Sequence, residues 1–488
     1  MEQRKVISAL LYKFIERLAV KGIGLVISVL LARLIAPETF GLLAIITVFV
    51  NIAQAFVQSG LGMALVQNRT TKEEDYSTVF LFSIVMALVL VVGLYFIAPA
   101  VAWLYHDTVL IWPLRILSLS LLFGALNSVQ NAKLQREMRF SIMMRCNLAS
   151  TVVSGVAGVV AAYLGAGIWA LVIYSLLNSI IATFLTGIAG KWHPRLQFSM
   201  ERMRTFWGFG WKMLVSGLLC TIYNDVRTLI VGKKYSTTDL AYYNRGYQFP
   251  EIIATTLDNS VQTVMLPVMA AEQDAREKFN KILLRALSMS MFIVAPVMLG
   301  LGSVARTFIP LLLTEKWVQS VRLMVVFCFS FLTVPVMMTN LTALKAMGRS
   351  DIYMKTEGVR RVVMLAVLLT SVFLFDSVMA IAIGFLISSF IDILIIIEAV
   401  KKQTGVGFKE QTLALWKSLA SAGIMAVVVF AMNRLVIPAI IRLLLQVAAG
   451  CAIYILCSIV LKNEAYLYGL RTLKKLMSKK TRKGDKQC

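Results

Sequence analysis

The chain has 488 residues, 59% of them hydrophobic and 15% charged, with a mean hydropathy of +0.78, which excludes a soluble multidomain protein. Lys and Arg outnumber Asp and Glu by 49 to 25, for a formal net charge of +24. Nucleic acid is excluded as the partner of that charge, because no basic domain interleaved with aromatic residues accompanies it.

In chain order, fourteen apolar segments are predicted as membrane-spanning helices: about 10–35, 40–65, 77–98, 111–132, 142–164, 168–189, 207–232, 240–269, 284–306, 319–344, 359–376, 379–399, 414–433 and 438–461. Continuous runs such as "SIVMALVLVVGLYFIA" do not alternate as barrel strands would, so helices are the remaining way to satisfy the backbone in lipid. The expected class is all-α. The first segment is broken by Lys13, Glu16, Arg17 and Lys21 and lacks a small-residue cleavage site, so it is expected to stay attached. With the N-terminus in the cytoplasm, the basic loops "QREMRFSIMMR", "DAREKFNKILLR" and "KAMGRSDIYMKTEGVRR" and the tail "RTLKKLMSKKTRKGDK" all fall on the cytoplasmic side. Outer loops such as "LGAG" carry no base. That asymmetry, with attraction to anionic lipid, accounts for most of the net charge.

Polar residues within the spans are unevenly distributed. In the first, Lys13, Arg17 and Lys21 share one helix face. The second carries Thr47, Asn51, Gln54 and Gln58, a neutral stripe for which interhelical hydrogen bonding is the simplest account. The seventh contains Asn224, Asp225 and Arg227. Asp225 and Arg227 lie about 200° apart round a helix and cannot pair locally; Arg227 falls nearer the face of Lys212, and Asp225 shares a face with Thr221 and Gly232. The eighth is the most polar: Asn244, Gln248, Glu251, Thr255, Asp258 and Gln262 recur every three or four residues, with Arg245 beside them, and predict a hydrated cavity along that face. Arg115 and Arg322 sit near the outer ends of the fourth and tenth spans, where snorkelling explains both, and Asp392 is an isolated carboxylate in the twelfth.

Displaced by about 200 residues, the chain matches itself. "APETFGLLAI" lies over "STTDLAYYNR", and further on "GIWALVIYSLLNSII" lies over "SVMAIAIGFLISSFI". The predicted organisation is a six-helix bundle over 1–200, a second over 201–403, two additional helices over 404–461 and a basic tail over 462–488. Six helices per half bring both halves in from the same side, so the repeat axis runs along the membrane normal, as in transporters. No G-x-x-x-x-G-K-S/T loop, G-x-S-x-G elbow or Cys/His metal spacing occurs, and no loop is long enough to form a catalytic domain. The chain is therefore expected not to be an enzyme and to use no cofactor, disulfide or metal.

The blocks "LARLIAPETFGLLA", "GLGMALVQNRTTKEEDYSTVFLFS", "GIWALV", "NDVRTLIVGKKYSTTDLAYYNRGYQFPEI", "VMLPVMA" and "ALKAMGRSD", in this order over about 10–400, resemble the polysaccharide-transport branch of the multidrug/oligosaccharidyl-lipid/polysaccharide exporter superfamily. Within it they resemble Wzx-type flippases. The resemblance implies a V-shaped pair of six-helix bundles in a bacterial cytoplasmic membrane, both termini cytoplasmic, that acts as a monomer. It would move undecaprenyl-diphosphate-linked O-antigen, capsule or exopolysaccharide units from the inner to the outer leaflet by alternating access. Coupling to H+ or Na+ and contact with a polysaccharide polymerase are further implications. On this basis Arg17, Lys21, Lys212, Arg227 and Arg245 are the candidates for holding the diphosphate. Asn51, Gln54, Gln58, Asn244, Gln248 and Gln262 are the candidates for meeting sugar hydroxyls, and Asp225, Glu251 and Asp258 for binding a coupling ion or neutralising neighbouring bases. A multidrug cation antiporter of the same superfamily and a membrane polysaccharide polymerase or ligase are the alternatives.

Overall fold

The computed structural model describes residues 22–58, 60–67, 71–190 and 197–468, and these are helical almost throughout. The chain divides into two compact units, Met1–Ala241 and Tyr242–Cys488. In the first unit the helices are α1 (Gly22–Leu34), α2 (Pro37–Gln58), α3 (Leu61–Gln67), α4 (Glu73–Tyr105), α5 (Ile111–Ser118), α6 (Ser120–Arg136), α7 (Phe140–Tyr163), α8 (Ile168–Gly190) and α9 (Met200–Lys234). Helix α10 (Thr237–Ala271) begins there and runs into the second unit, which continues with α11 (Arg276–Leu313), α12 (Ser320–Phe331), α13 (Val334–Ala346), α14 (Ser350–Leu374), α15 (Val378–Thr404), α16 (Phe408–Ala431) and α17 (Ala439–Val460).

Each predicted span from the second onward falls on a helix or a broken pair of helices. Among the described residues, ten segments are long and apolar enough to cross a bilayer. Helices α9, α10 and α14 are not among them, because each carries charged or polar side chains along its length. Their charged and polar side chains are the ones that protein or water, rather than lipid, must surround.

Small residues set the close approaches in the first unit. Gly158 on α7 faces Tyr174 on α8, where an added Cβ would lie 2.8 Å from the tyrosine Cβ, and the two helices pack along their length. They are joined by the turn "LGAG", in which Gly165 and Gly167 take positive φ angles of 83° and 55°. Gly41, near the start of α2, lies directly against the backbone carbonyl of Thr237. Apolar residues of α3, α4, α6 and α9, among them Leu65, Tyr76, Val129 and Phe206, form one core; Ile27 and Leu31 of α1 form another with Ala162, Ala170 and Leu171. Helix α9, on which the second sequence repeat opens, packs against α2, α3 and α4 within this unit.

The core of the second unit runs from Phe279, Leu283 and Met291 on α11 through Val336 and Leu344 on α13 to Leu415, Met425 and Tyr454 on α16 and α17. The two C-terminal helices are thus part of this core, with α16 lying along α11. Buried amides fasten them. Asn340 on α13 and Gln411 on α16 exchange both amide hydrogen bonds, at 2.9 and 3.0 Å, and Asn433 beyond α16 donates to the Ser303 carbonyl at 2.9 Å. Prolines 250, 267, 296 and 310 sit inside α10 and α11, tolerated where neighbouring helices re-satisfy freed backbone groups.

Candidate functional site

A cavity of about 1000 Å³ opens inside the first unit. Its walls are built by helical spacing. Helix α2 contributes Thr47, Asn51, Gln54 and Gln58; α6 contributes Ser120, Gly124, Asn127, Asn131 and Gln135; α7 adds Asn147; and α8 adds Ser175, Asn178, Ser179 and Thr183. Helix α9 lines it through Leu214, Gly217, Thr221 and Asp225, and α3 through Gly62, Met63 and Val66. Eight carboxamide side chains thus converge on one space.

The amides are held in place from behind. Asn51 Nδ2 donates to Asp225 Oδ2 at 3.2 Å, joining α2 to α9. Asn131 donates to Asn127 Oδ1 at 2.9 Å along α6, and Asn178 donates to Ser154 Oγ on α7 at 3.2 Å. Gln54 passes over Gly124, whose missing side chain leaves room for the amide to cross from α2 to α6. Asp225 is the only ionisable side chain among the described lining residues.

The predicted site residues are distributed as follows. Asn51, Gln54, Gln58 and Asp225 come together in this cavity. Arg227 is half-buried on α9 and is not among the described lining residues, as the turn between it and Asp225 requires. Arg17 and Lys21 lie outside the described residues, as does the Lys212 side chain. In the second unit Arg245 is 5% exposed. Its guanidinium donates to Gln248 Oε1 at 2.7 Å and stacks over the Trp317 ring at 5.2 Å, so its charge is directed into protein in this conformation. Asn244, Gln248, Glu251 and Gln262 are half-buried, while Asp258 is 1% exposed. Gln262 donates to Asp258 Oδ1 at 3.2 Å and to Thr339 Oγ1 at 2.8 Å.

The two stripes have different surroundings. The neutral stripe on α2, for which interhelical bonding was the simple account, lines a cavity and also bonds across helices at Asn51; on α10, where a hydrated face was expected, Arg245 and Asp258 are packed against protein while Asn244, Gln248, Glu251 and Gln262 are half-buried. Desolvation accounts for the difference. An amide costs little beside water and can also bond across helices, whereas a charge in lipid has to be enclosed by partners.

Sequence reasoning missed the walls contributed by α6 and α8. Their signal was present: Asn127, Asn131 and Gln135 in "GALNSVQNAKLQ", and Ser175, Asn178 and Ser179 in "YSLLNS", recur at three- and four-residue spacing within apolar spans. It also missed a buried ionic cluster. Arg360 lies ten residues into α14, not in a loop, and pairs with Glu357 on its own helix and with Asp392 on α15 at 3.2 Å. Asp392, isolated in sequence, has its partner there.

Comparison with known proteins agrees with this architecture. The fold aligns with the structure of a lipid II flippase, MurJ, at a TM-score of 0.75 and 17% identity, over 93% of this chain and 98% of that one; at this identity the likeness is one of fold. Teichuronic acid biosynthesis protein TuaB of Bacillus subtilis (strain 168) is 26% identical over 302 residues, and the aligned part spans 62% of this chain and 62% of that protein's length. Lipopolysaccharide biosynthesis protein WzxC of Escherichia coli (strain K12) is 22% identical over 417 residues, 85% of each chain. Residues 30–322, more than half of the sequence, match the family described as "Polysaccharide biosynthesis protein", and the chain belongs to that family.

Proposed function

We propose that the chain is a flippase for lipid-linked oligosaccharides, carrying undecaprenyl-diphosphate-linked polysaccharide repeat units from the inner to the outer leaflet of the bacterial cytoplasmic membrane by alternating access. The observation that carries this reading is the amide-lined cavity inside a multi-pass helical protein of the polysaccharide biosynthesis family. A sugar hydroxyl is both donor and acceptor, and so is a carboxamide group. Eight of them, with flanking Ser and Thr hydroxyls, can replace the hydration of a glycan that hydrocarbon would strip away at prohibitive cost. The volume lies at the top of the range for small-molecule pockets, about 300–1,000 Å³.

In this reading Asn51, Gln54, Gln58, Asn127, Asn131 and Asn178 meet the sugar. Arg227, with Arg17, Lys21 and Lys212, supplies positive potential for the diphosphate. Arg245 serves from within the second unit by fixing α10 to Trp317. Transport is coupled to H+ or Na+ through the membrane-embedded acids, and the protein works as a monomer beside the polymerase that consumes the flipped units.

The test is a leaflet-accessibility assay in proteoliposomes holding fluorescent undecaprenyl-diphosphate oligosaccharide. Protein-dependent exposure of the label to a membrane-impermeant glycan-modifying reagent is expected. Label that stays protected at every protein-to-lipid ratio refutes the proposal. Multidrug antiport has one observation in its favour, Asp225 being the sole ionisable group among the described lining residues. It requires that a lipophilic cation compete for the cavity and that Asp225→Asn abolish the competition.

A further inference from the structure

The internal repeat persists in the structure residue by residue. The turn that leads into α7 recurs before α14: Met138 and Gly348 take φ angles of 56° and 67°, and Arg139 and Arg349 follow at φ −88°, ψ 51° and φ −85°, ψ 61°. Helices α8 and α15 open at the matching residues Ile168 and Val378, and α2 and α10 at Pro37 and Thr237. In this register Asn127, Asn147 and Ala182, which line the cavity of the first unit, fall on Met337, Glu357 and Asp392. The lining residues Thr47 and Ser175 fall on Tyr247 and Phe385.

The Arg360 guanidinium reaches all three of the first group. It pairs with Glu357 and, at 3.2 Å, with Asp392, and it meets the Met337 sulfur. Arg360 is 8% exposed, and its own counterpart is the small, buried Ser150. The Tyr247 and Phe385 rings lie 5.9 Å apart between centroids, in a cluster with Phe327 and Phe331. Where the first unit leaves space among serine, threonine and amide side chains, the second inserts a guanidinium and two rings. A buried cation is tolerated there because two acids neutralise it in place, so the charge of the cluster is satisfied within it.

We propose that Arg360, with Tyr247 and Phe385, plugs the second unit's counterpart of the amide cavity, so that contact with the glycan is confined to the first unit. Only the glycan clause rests on the function proposed above; the plug itself is a matter of solvent access.

The test compares Asn178→Cys with Ser388→Cys, its counterpart in the second unit, in full-length protein whose native cysteines are replaced by alanine. Reaction with a hydrophilic maleimide is timed in detergent. A buried thiol reacts only when structure opens locally, so Ser388→Cys should react more than about tenfold slower than Asn178→Cys. Installing the first unit's residues, through Arg360→Ser, Glu357→Asn, Asp392→Ala and Phe385→Ser, should bring the two rates together; if this variant does not fold, the three substitutions that leave Phe385 in place carry the comparison. Arg360→Leu with Glu357→Gln and Asp392→Leu removes the charges but keeps the volume, and should leave Ser388→Cys protected, which separates a plug from a loss of stability. In proteoliposomes, undecaprenyl-diphosphate oligosaccharide carrying a diazirine should crosslink to α2, α6 and α8, and to α14 and α15 only in the small-residue variant. Equal thiol rates in the parent protein overturn the plug, as does protection that persists in the small-residue variant. Crosslinks to α14 or α15 in the parent overturn the confinement of the glycan. The expected thiol rates with crosslinks in neither unit support the plug and overturn the glycan reading of the first cavity.

Discussion

Two glycines in the first unit are each occupied, at the place where a Cβ would stand, by a neighbour of a different kind. At Gly124 that neighbour is the amide end of Gln54; at Gly41 it is the backbone carbonyl of Thr237. Replacing either by alanine adds one methyl group, so any difference in outcome measures what the neighbour can do. Gln54 can rotate about its own side-chain bonds and vacate the space. The cost in stability should then be about 1 kcal/mol or less, at the low end for overpacking, while the displaced amide loses its place in the cavity wall. The backbone carbonyl of the residue that opens α10 cannot rotate away. The start of α2 would have to shift against the start of α10, at about 3 kcal/mol or more, beyond the usual small-to-large penalty. Gly41→Ala should therefore sharply reduce the yield of monodisperse protein in fluorescence-detected size exclusion and lower its melting temperature. Gly124→Ala should melt close to wild type yet flip lipid-linked oligosaccharide several-fold more slowly. Equal melting temperatures for the two variants would refute the reasoning, and so would Gly124→Ala flipping at the wild-type rate.

Asn178→Leu and Asn127→Leu, which remove amides from α8 and α6, should each slow flipping by about tenfold, equivalent to about 1.4 kcal/mol, with little change in folding; unchanged rates in both would remove the cavity from the glycan path. Asn340→Leu or Gln411→Leu leaves one buried amide without its partner and should cost about 1–3 kcal/mol, whereas the double variant should be more stable than either single one. A double-mutant cycle on melting temperatures reads this directly, and additive losses would show that the pair is not coupled. Arg360→Leu should destabilise the second unit by about 3–5 kcal/mol, because Glu357 and Asp392 lose the cation they share. Adding Asp392→Leu and Glu357→Gln should restore part of that loss, and a further drop instead would assign the acids other partners.

Much of the architecture was legible before any coordinates. Mean hydropathy and continuous apolar runs specify a helical membrane protein, because lipid offers the backbone no alternative partner. The stretch from Asn224 to Arg227 was also readable: Asp225 and Arg227 had to point apart, and Asp225 lines the cavity while Arg227 is not among its described lining residues. What sequence could not decide was which polar stripe meets space and which meets protein. Spacing puts Asn51 and Gln54 on one face of α2, and Gln248 and Asp258 on one face of α10, with equal clarity. Whether such a face opens or closes depends on residues 32 to 174 positions away: Asp225 and Gly124 opposite α2, Ser290, Trp317 and Thr339 against α10. The same holds for Arg360, counted among the cytoplasmic bases at the edge of the predicted span 359–376, which tertiary packing joins to Asp392. Local pattern determines the helices and the faces they offer; what lies opposite each face, and so its solvation, is decided by packing alone.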